Sequence, residues 1–242
     1  MHRRKFGIIA VLIAGLAVAV GVKTRLWAEA PTTTTLPVEL TPQGFDFKSM
    51  LGDYPADDSP QHQAEIDRML TLQEERTPAD VQRVQQEESM NVFDFANVLG
   101  PWFRADNVPY TAALLKEAAH TDNAIAGSAK HEWMRKRPQI TEPRLHPCLP
   151  LEKTTSYPSA HSMLGAMWGQ LLAEMFPEDA EILLARGRQI GTDREIAGMH
   201  WPSDVEAGLK LGTEVAHRML ADPAFKAKLQ KAREECIAAM NK

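Results

Sequence analysis

The residues whose types and spacing could carry chemistry sit in three short stretches. The last of them, "EIAGMHWPSD" at residues 195–204, follows Asp193 and Arg194. Pro202 suits the first position of a helix, which makes Trp201 the cap and puts Asp204 at the third helical position. A carboxylate there satisfies orphan N–H groups and the helix dipole in any protein. The chemical reading gives it a second task. The Asp204 carboxylate accepts the Nδ1 proton of His200, which fixes the tautomer and leaves Nε2 as a lone pair facing a ligand. Arg194 brings a cation to the same place.

A second stretch is "KHEWMRKRP", from Lys130 to Pro138. Lys130 and Arg137 are seven apart, which on a helix puts both on one face roughly 10 Å apart along the axis. Two long cationic side chains from those points can converge on one anion. A solvated basic face is the competing reading. A zinc-protease reading of His131-Glu132 fails, because Arg135 stands where the second histidine is required. The third stretch is "SYPSAHS", residues 156–162. Pro158 breaks the chain, and a helix is expected from about Ser162. The Ser159 hydroxyl and the N–H groups of residues 159–161 then sit at a helix N-terminus, where anions bind. His161 could give a proton to whatever is held there. A serine cap with an incidental histidine is the competing reading.

Helices must position these groups. "SPQHQAEIDRMLTLQEER" opens with Ser59 as cap and Pro60 at the first helical position, and "TPADVQRVQQEE" repeats that grammar with Thr77, Pro78 and Asp80. Further helices are expected over 110–120, 122–137, 161–176, 178–191, 202–220 and 223–240, with the second stopped by Pro138. Alternating β-branched runs are nearly absent. The expectation is an all-α, single-domain helical bundle over residues 59–242, preceded by an extended N-terminal arm over 31–58 that begins "PTTTTLP".

The first 30 residues read differently. Arg3, Arg4 and Lys5 precede an uncharged apolar run from Phe6 to Val22, and Ala28-Glu29-Ala30 has small residues at its first and third places. That pattern is a secretory signal peptide with cleavage expected after Ala30. An uncleaved membrane anchor is the alternative, favoured by Lys23 and Arg25. Residues 1–30 hold five Lys/Arg and one glutamate, so the remainder carries a net charge near −9. Such an acidic chain is a poor partner for nucleic acid. Any anionic ligand needs a local cluster of cations. Two cysteines, Cys148 and Cys236, permit one disulfide in an oxidising compartment, and two unpaired thiols are equally compatible with the sequence.

Taken together, Lys-x6-Arg-Pro at 130–138, Pro-Ser-x-His at 158–161 and Arg-x5-His-x3-Asp at 194–204 occur in that order. This resembles the three-part signature of the PAP2 phosphatase and vanadium haloperoxidase superfamily. Within it the chain is similar to the class A bacterial non-specific acid phosphatases, from about residue 60 onward, including "HWPSDVEAG" and "DPAFKAKLQKAREE". The resemblance implies a helical bundle of the PAP2 type and a metal-independent, cofactor-free acid phosphatase acting on small phosphomonoesters. It implies His200 as nucleophile, Asp204 as its orienting partner, and His161 as general acid and then base. It implies Lys130, Arg137, Arg194, Ser159 and the Ala160 N–H as phosphate ligands. It also implies a homo-oligomer, while the signal peptide implies a periplasmic or secreted protein that touches membrane only if its N-terminus stays uncleaved. A vanadium-dependent haloperoxidase and a degenerate phosphate-binding member are the competing functions. Two positions depart from the family. Ala160 replaces a glycine, a constraint if φ is positive there. Asp193 replaces a phosphate-contacting serine, and an anion so placed is expected to make activity depend on acid pH.

Overall fold

A computed structural model describes residues 40–241. Among them the chain forms α1 (Phe47–Leu51), α2 (Pro60–Glu75), α3 (Pro78–Gln86), α4 (Ala96–Leu99), α5 (Pro109–His131), α6 (Pro138–Thr141), α7 (Ala160–Met175), α8 (Ala180–Ile196), α9 (Pro202–Ala221) and α10 (Pro223–Met240). The other regular elements are 3-10 turns, so the all-α expectation stands for the described residues. The expected signal peptide lies outside them. None of their helices is long and apolar enough to cross a membrane.

The bundle is organised around α7. Its sequence is apolar on every side, and residues 162–169, 171, 172 and 175 are all buried. A helix of that kind must be surrounded. α8 and α9 run along it, and α5 and α10 close the remaining sides. Buried Leu164, Met167, Leu171 and Leu172 each contribute about 1.5–3 kcal/mol by leaving water. α9 approaches closest. A methyl group on Gly208 or Gly212 would overlap the backbone carbonyls of Ser159 and Met163, so larger residues there would push α9 away. This contact fixes the site. It brings the first turn of α9 against the start of α7, where the Ser159 N–H donates to the Asp204 carbonyl at 2.9 Å.

The caps read from sequence hold α2 and α3. The Ser59 hydroxyl accepts from the His62 N–H, and Thr77 forms a reciprocal capping box with Asp80. Two expectations change. Residues 110–120 and 122–137 do not form two helices: α5 runs unbroken to His131. No Pro or Gly interrupts "HTDNA", so the helix propagates through Asp122. Asp122 ends fully buried with neither carboxylate oxygen hydrogen-bonded, and burial raises its carboxyl well above the usual range. Second, the expected extended arm folds back at its C-terminal part. Leu40, Phe45 and Phe47 are buried in the main core, and the Arg218 guanidinium lies 3.9 Å from the Phe45 ring centre. Aromatic residues at 45 and 47 supply a core anchor that "PTTTTLP" lacks. Of the two alternatives the sequence left open for the cysteines, the structure has both unpaired, Cys148 beside a small cluster with Ala197 and Met199 and Cys236 inside the main core.

Candidate active site

The site lies where the C-terminal ends of α5 and α8 meet the N-terminal ends of α7 and α9. Between α8 and α9 the chain reverses at Gly198, whose φ of 75° is in the left-handed region. There a side chain would be strained and would crowd Pro147. The reversal puts Arg194, near the end of α8, and His200, just before α9, at one pocket.

His200 is 1% exposed. Its Nδ1 lies 3.3 Å from Asp204 Oδ2, and its Nε2 lies 3.1 Å from Arg137 Nη1. A guanidinium can only donate, so Nε2 is the lone pair and Nδ1 carries the proton. The expected tautomer follows, except that Arg137 already occupies the lone pair. Burial first, then Arg137, Lys130 and Arg194, depress the His200 imidazole well below its ordinary value. A neutral imidazole becomes a nucleophile once its Nε2 lone pair is released from Arg137.

Behind His200 every charge is matched. Asp204 Oδ2 also accepts from the Trp201 N–H at 2.9 Å and from the Ser156 hydroxyl at 2.5 Å. Asp204 Oδ1 accepts from Arg135 Nη1 at 2.7 Å, and Arg135 Nη2 donates to Glu65 Oε2 at 2.7 Å. The other Glu65 oxygen accepts from both the N–H and the hydroxyl of Ser203. Arg135 is sandwiched by the rings of Tyr54 and Trp201, with centroids 4.6 and 5.4 Å away.

In front of His200 the cations are in excess. Lys130 Nζ donates to the carbonyls of Thr155 and Ser156 at 2.7 and 3.3 Å. Burial and then Arg137 pull the Lys130 amine down to about 8. Arg137 Nη2 and Arg194 Nη2 reach the two carboxylate oxygens of Glu152, at 2.6 and 2.8 Å. Arg194 is 2% exposed, yet its Nε and Nη1 have no hydrogen-bond partner. The Ala160 and His161 N–H groups belong to the first turn of α7, where no intrahelical acceptor exists. Half-buried His161 has Nε2 3.3 Å from the Glu88 carbonyl. Burial and then Arg194 lower its imidazole to about 4. Unpaired guanidinium donors, helix N–H groups and a lysine in one buried place form an anion site.

The three stretches thus converge, with corrections. Lys130 and Arg137 do not share a helix face. α5 ends at His131, and Arg137 is held extended at φ −72°, ψ 156° ahead of Pro138, as a residue before proline prefers. Residues 133–137 alternate instead: Trp133, Arg135 and Arg137 are buried while Met134 and Lys136 are exposed. The sequence shows no matching alternation, because Trp133 and Met134 are both apolar and Arg135, Lys136 and Arg137 are all cations, so the helical reading passed over Arg135. Ser159 caps α7, which starts at Ala160, and its own N–H is taken by Asp204. Ala160 meets no strain, since no described residue other than glycine has positive φ. Asp193 turns from the pocket. Both its oxygens pair with Arg83 of α3, at 3.0 and 2.8 Å, and Arg186 stands 4.0 Å away. A carboxylate held by Arg83 does not face the anion site, which removes the basis for the acid dependence expected of it. Sequence reading also missed Glu65, Ser156 and Glu152. All three are polar residues in polar contexts, and only tertiary structure shows what they face.

A model of the PAP2 superfamily matches residues 111–226. An acid phosphatase of Zymomonas mobilis is 34% identical over 148 residues, covering 59% of this chain and 55% of that protein. A non-specific acid phosphatase of Salmonella typhimurium is 37% identical over 147 residues, 58% of each chain. The chain thus spans a little over half the length of these curated relatives. Among solved structures, a transmembrane PAP2 type phosphatidylglycerolphosphate phosphatase from Bacillus subtilis superposes with a TM-score of 0.51 at 20% identity, covering 71% of this chain and 89% of that one. At that identity the likeness concerns the fold alone. Every pocket residue from Lys130 to Asp204 falls inside the segment, residues 111–226, that the PAP2 superfamily model matches.

Proposed function

We propose that the chain is an exported acid phosphatase that hydrolyses small phosphomonoesters through a phosphohistidine. The observation that carries this reading is Arg194, buried with two unpartnered donors beside Arg137, Lys130 and the His200 lone pair. Arg137, Arg194, Lys130, the Ser159 hydroxyl and the Ala160 N–H hold the phosphoryl oxygens. Their fixed positive charge stabilises the transition state, the task a metal ion performs in other phosphatases.

The phosphoryl group displaces Arg137 Nη1 from Nε2. Nε2 then attacks phosphorus as the bond to the ester oxygen breaks. His161 gives its proton to the departing alkoxide. Asp204 holds the Nδ1 proton and offsets the positive charge on the phosphorylated ring. Water then attacks phosphorus, His161 takes the water's proton, and inorganic phosphate leaves with His200 and His161 restored. The relatives' printed names support the substrate class, and the N-terminal pattern supports export.

The test is turnover of p-nitrophenyl phosphate, with and without EDTA, followed by acid-labile phosphate mapped by mass spectrometry. Label on His200 and activity in EDTA are expected. Label on a serine or aspartate, or chelator loss restored by a divalent ion, would sink the mechanism.

A further inference from the structure

We propose that Glu152 is a built-in competitor for the phosphoryl position, a side chain that substrate must displace before it can bind. The inference deepens the phosphatase reading and rests on it. The Glu152 carboxylate bridges two arginines from distant parts of the chain, with Oε2 2.6 Å from Arg137 Nη2 and Oε1 2.8 Å from Arg194 Nη2. These are two of the cations that a phosphoryl group needs. Two carboxylate oxygens on two guanidinium groups reproduce half of what a four-oxygen anion would offer. The other half is visible as the unpaired Nε and Nη1 of Arg194.

Glu152 is also placed to leave. It sits in the irregular segment between α6 and α7, beside exposed Leu151, Lys153 and Thr154, and its own side chain is 35% exposed. Burial works to raise its carboxyl, but Arg137, His200, Arg194 and His161 outweigh burial and hold it below the usual carboxylate range. The competitor therefore stays charged through mildly acid and neutral pH. Swinging out exposes it to water at little packing cost, because no core side chain moves with it.

The consequence is a reduced apparent affinity. When only a fraction of molecules has an open pocket, the apparent dissociation constant is the intrinsic one divided by that fraction. Every ligand of the pocket is penalised by the same factor, whatever its charge. A carboxylate that merely stayed nearby and repelled anions would penalise a dianion more than a monoanion. These two behaviours separate displacement from repulsion.

The experiment is titration calorimetry of the wild-type chain and of Glu152→Gln and Glu152→Ala at pH 7.5, with inorganic phosphate and with dimethyl phosphate. Glu142→Gln, in the same segment but paired with exposed Arg144, is the control. Both Glu152 variants are expected to bind both probes about tenfold more tightly, by one common factor, and the control is expected to match wild type. A gain confined to phosphate, or no gain at all while wild type binds phosphate, overturns the displacement proposal and leaves the phosphate pocket intact. Failure of every protein to bind phosphate overturns the pocket reading as well. If the Glu152→Gln amide disturbs the loop, Glu152→Ala still reports, since it removes both the charge and the bridge.

Discussion

The two faces of the His200 ring are built on opposite rules. On the Nδ1 face, Asp204, Arg135, Glu65 and Ser203 form a buried chain in which each charged group meets its counterpart. On the Nε2 face, Lys130, Arg137 and Arg194 face a single carboxylate, and two donors of Arg194 meet nothing. A matched network holds geometry and favours folding. An unmatched one keeps binding free energy available for a ligand, at some expense to the empty protein. The comparison teaches which residues to expect in assays of stability and which in assays of turnover.

The largest effect should come from the ring between the faces. His200→Ala removes the reaction path, so turnover of p-nitrophenyl phosphate should fall to the uncatalysed level, with a cooperative melt retained. His161→Ala should behave differently. The nucleophile remains, while leaving-group departure and dephosphorylation both slow, typically by roughly 10²–10⁴-fold. Phosphorylated His200 should then accumulate and be visible on denatured protein. Equal and complete loss in both variants, with no trapped phosphate, would remove the division of roles.

Next come the faces themselves. Arg135→Met leaves Asp204 and Glu65 as buried carboxylates without their shared cation, a loss of about 3–5 kcal/mol, read as a lower urea midpoint. Arg194→Met removes a cation that the empty protein leaves partly unpaired. Its stability should be unchanged or higher, while kcat/KM falls by roughly 10²-fold or more. Should Arg194→Met unfold as easily as Arg135→Met, the contrast between the faces is false. Ser156→Ala is the finer version. It deletes one of four donors to Asp204, so about 1 kcal/mol of stability should go. kcat should drop several-fold with KM unchanged, because the phosphate ligands are untouched.

The two faces also differ in how legible they are in sequence. The Nε2 face can be read almost residue by residue, because the proposed nucleophile, the proposed acid and the cations fall in three short motifs of fixed spacing. Its geometry cannot: the spacing of Lys130 and Arg137 suggests one helix, whereas Pro138 pulls the preceding residues into an extended run. The Nδ1 face is nearly invisible. Glu65 is far from Asp204 in sequence and reads as one more acidic residue on α2. Arg135 sits in a run of cations whose buried members are set by a period of two, where a helical reading expects 3.6. Asp193 shows the reverse error. Its adjacency to Arg194 suggests a contact with phosphate, but successive residues on a helix point about 100° apart, and Arg83 of α3 meets it on the other side. The helices themselves are legible through Pro and Ser/Thr/Asp punctuation, because caps are local. The continuity of α5 through Asp122 is not, because the burial of that residue is decided by tertiary packing rather than by neighbours in the chain.

The smallest effect, and the sharpest, concerns protons on the Nε2 face. In the empty pocket burial and Arg194 hold the His161 imidazole at about 4. Its protonated form, the one that can donate to the leaving group, is scarce in the free protein above that pH. A bound phosphoryl dianion reverses the local charge. It engages the Arg194 donors that repelled the imidazolium and adds attraction of its own, so the imidazole must rise on binding. Activity that needs the proton is then fully present below the relevant pKa and lost as pH rises through it. The alkaline limb of kcat/KM, which reports the free enzyme, should therefore lie at lower pH than the alkaline limb of the phosphorylation burst at saturating substrate, which reports the complex. Glu152 raises the His161 imidazole in the empty pocket. Glu152→Gln should therefore move the first limb further to the acid side and leave the second in place, because in the complex the carboxylate has already been displaced. Coincident limbs in the wild type would show that His161 does not sense the pocket charge, and a shift of both limbs in Glu152→Gln would show that the carboxylate never leaves.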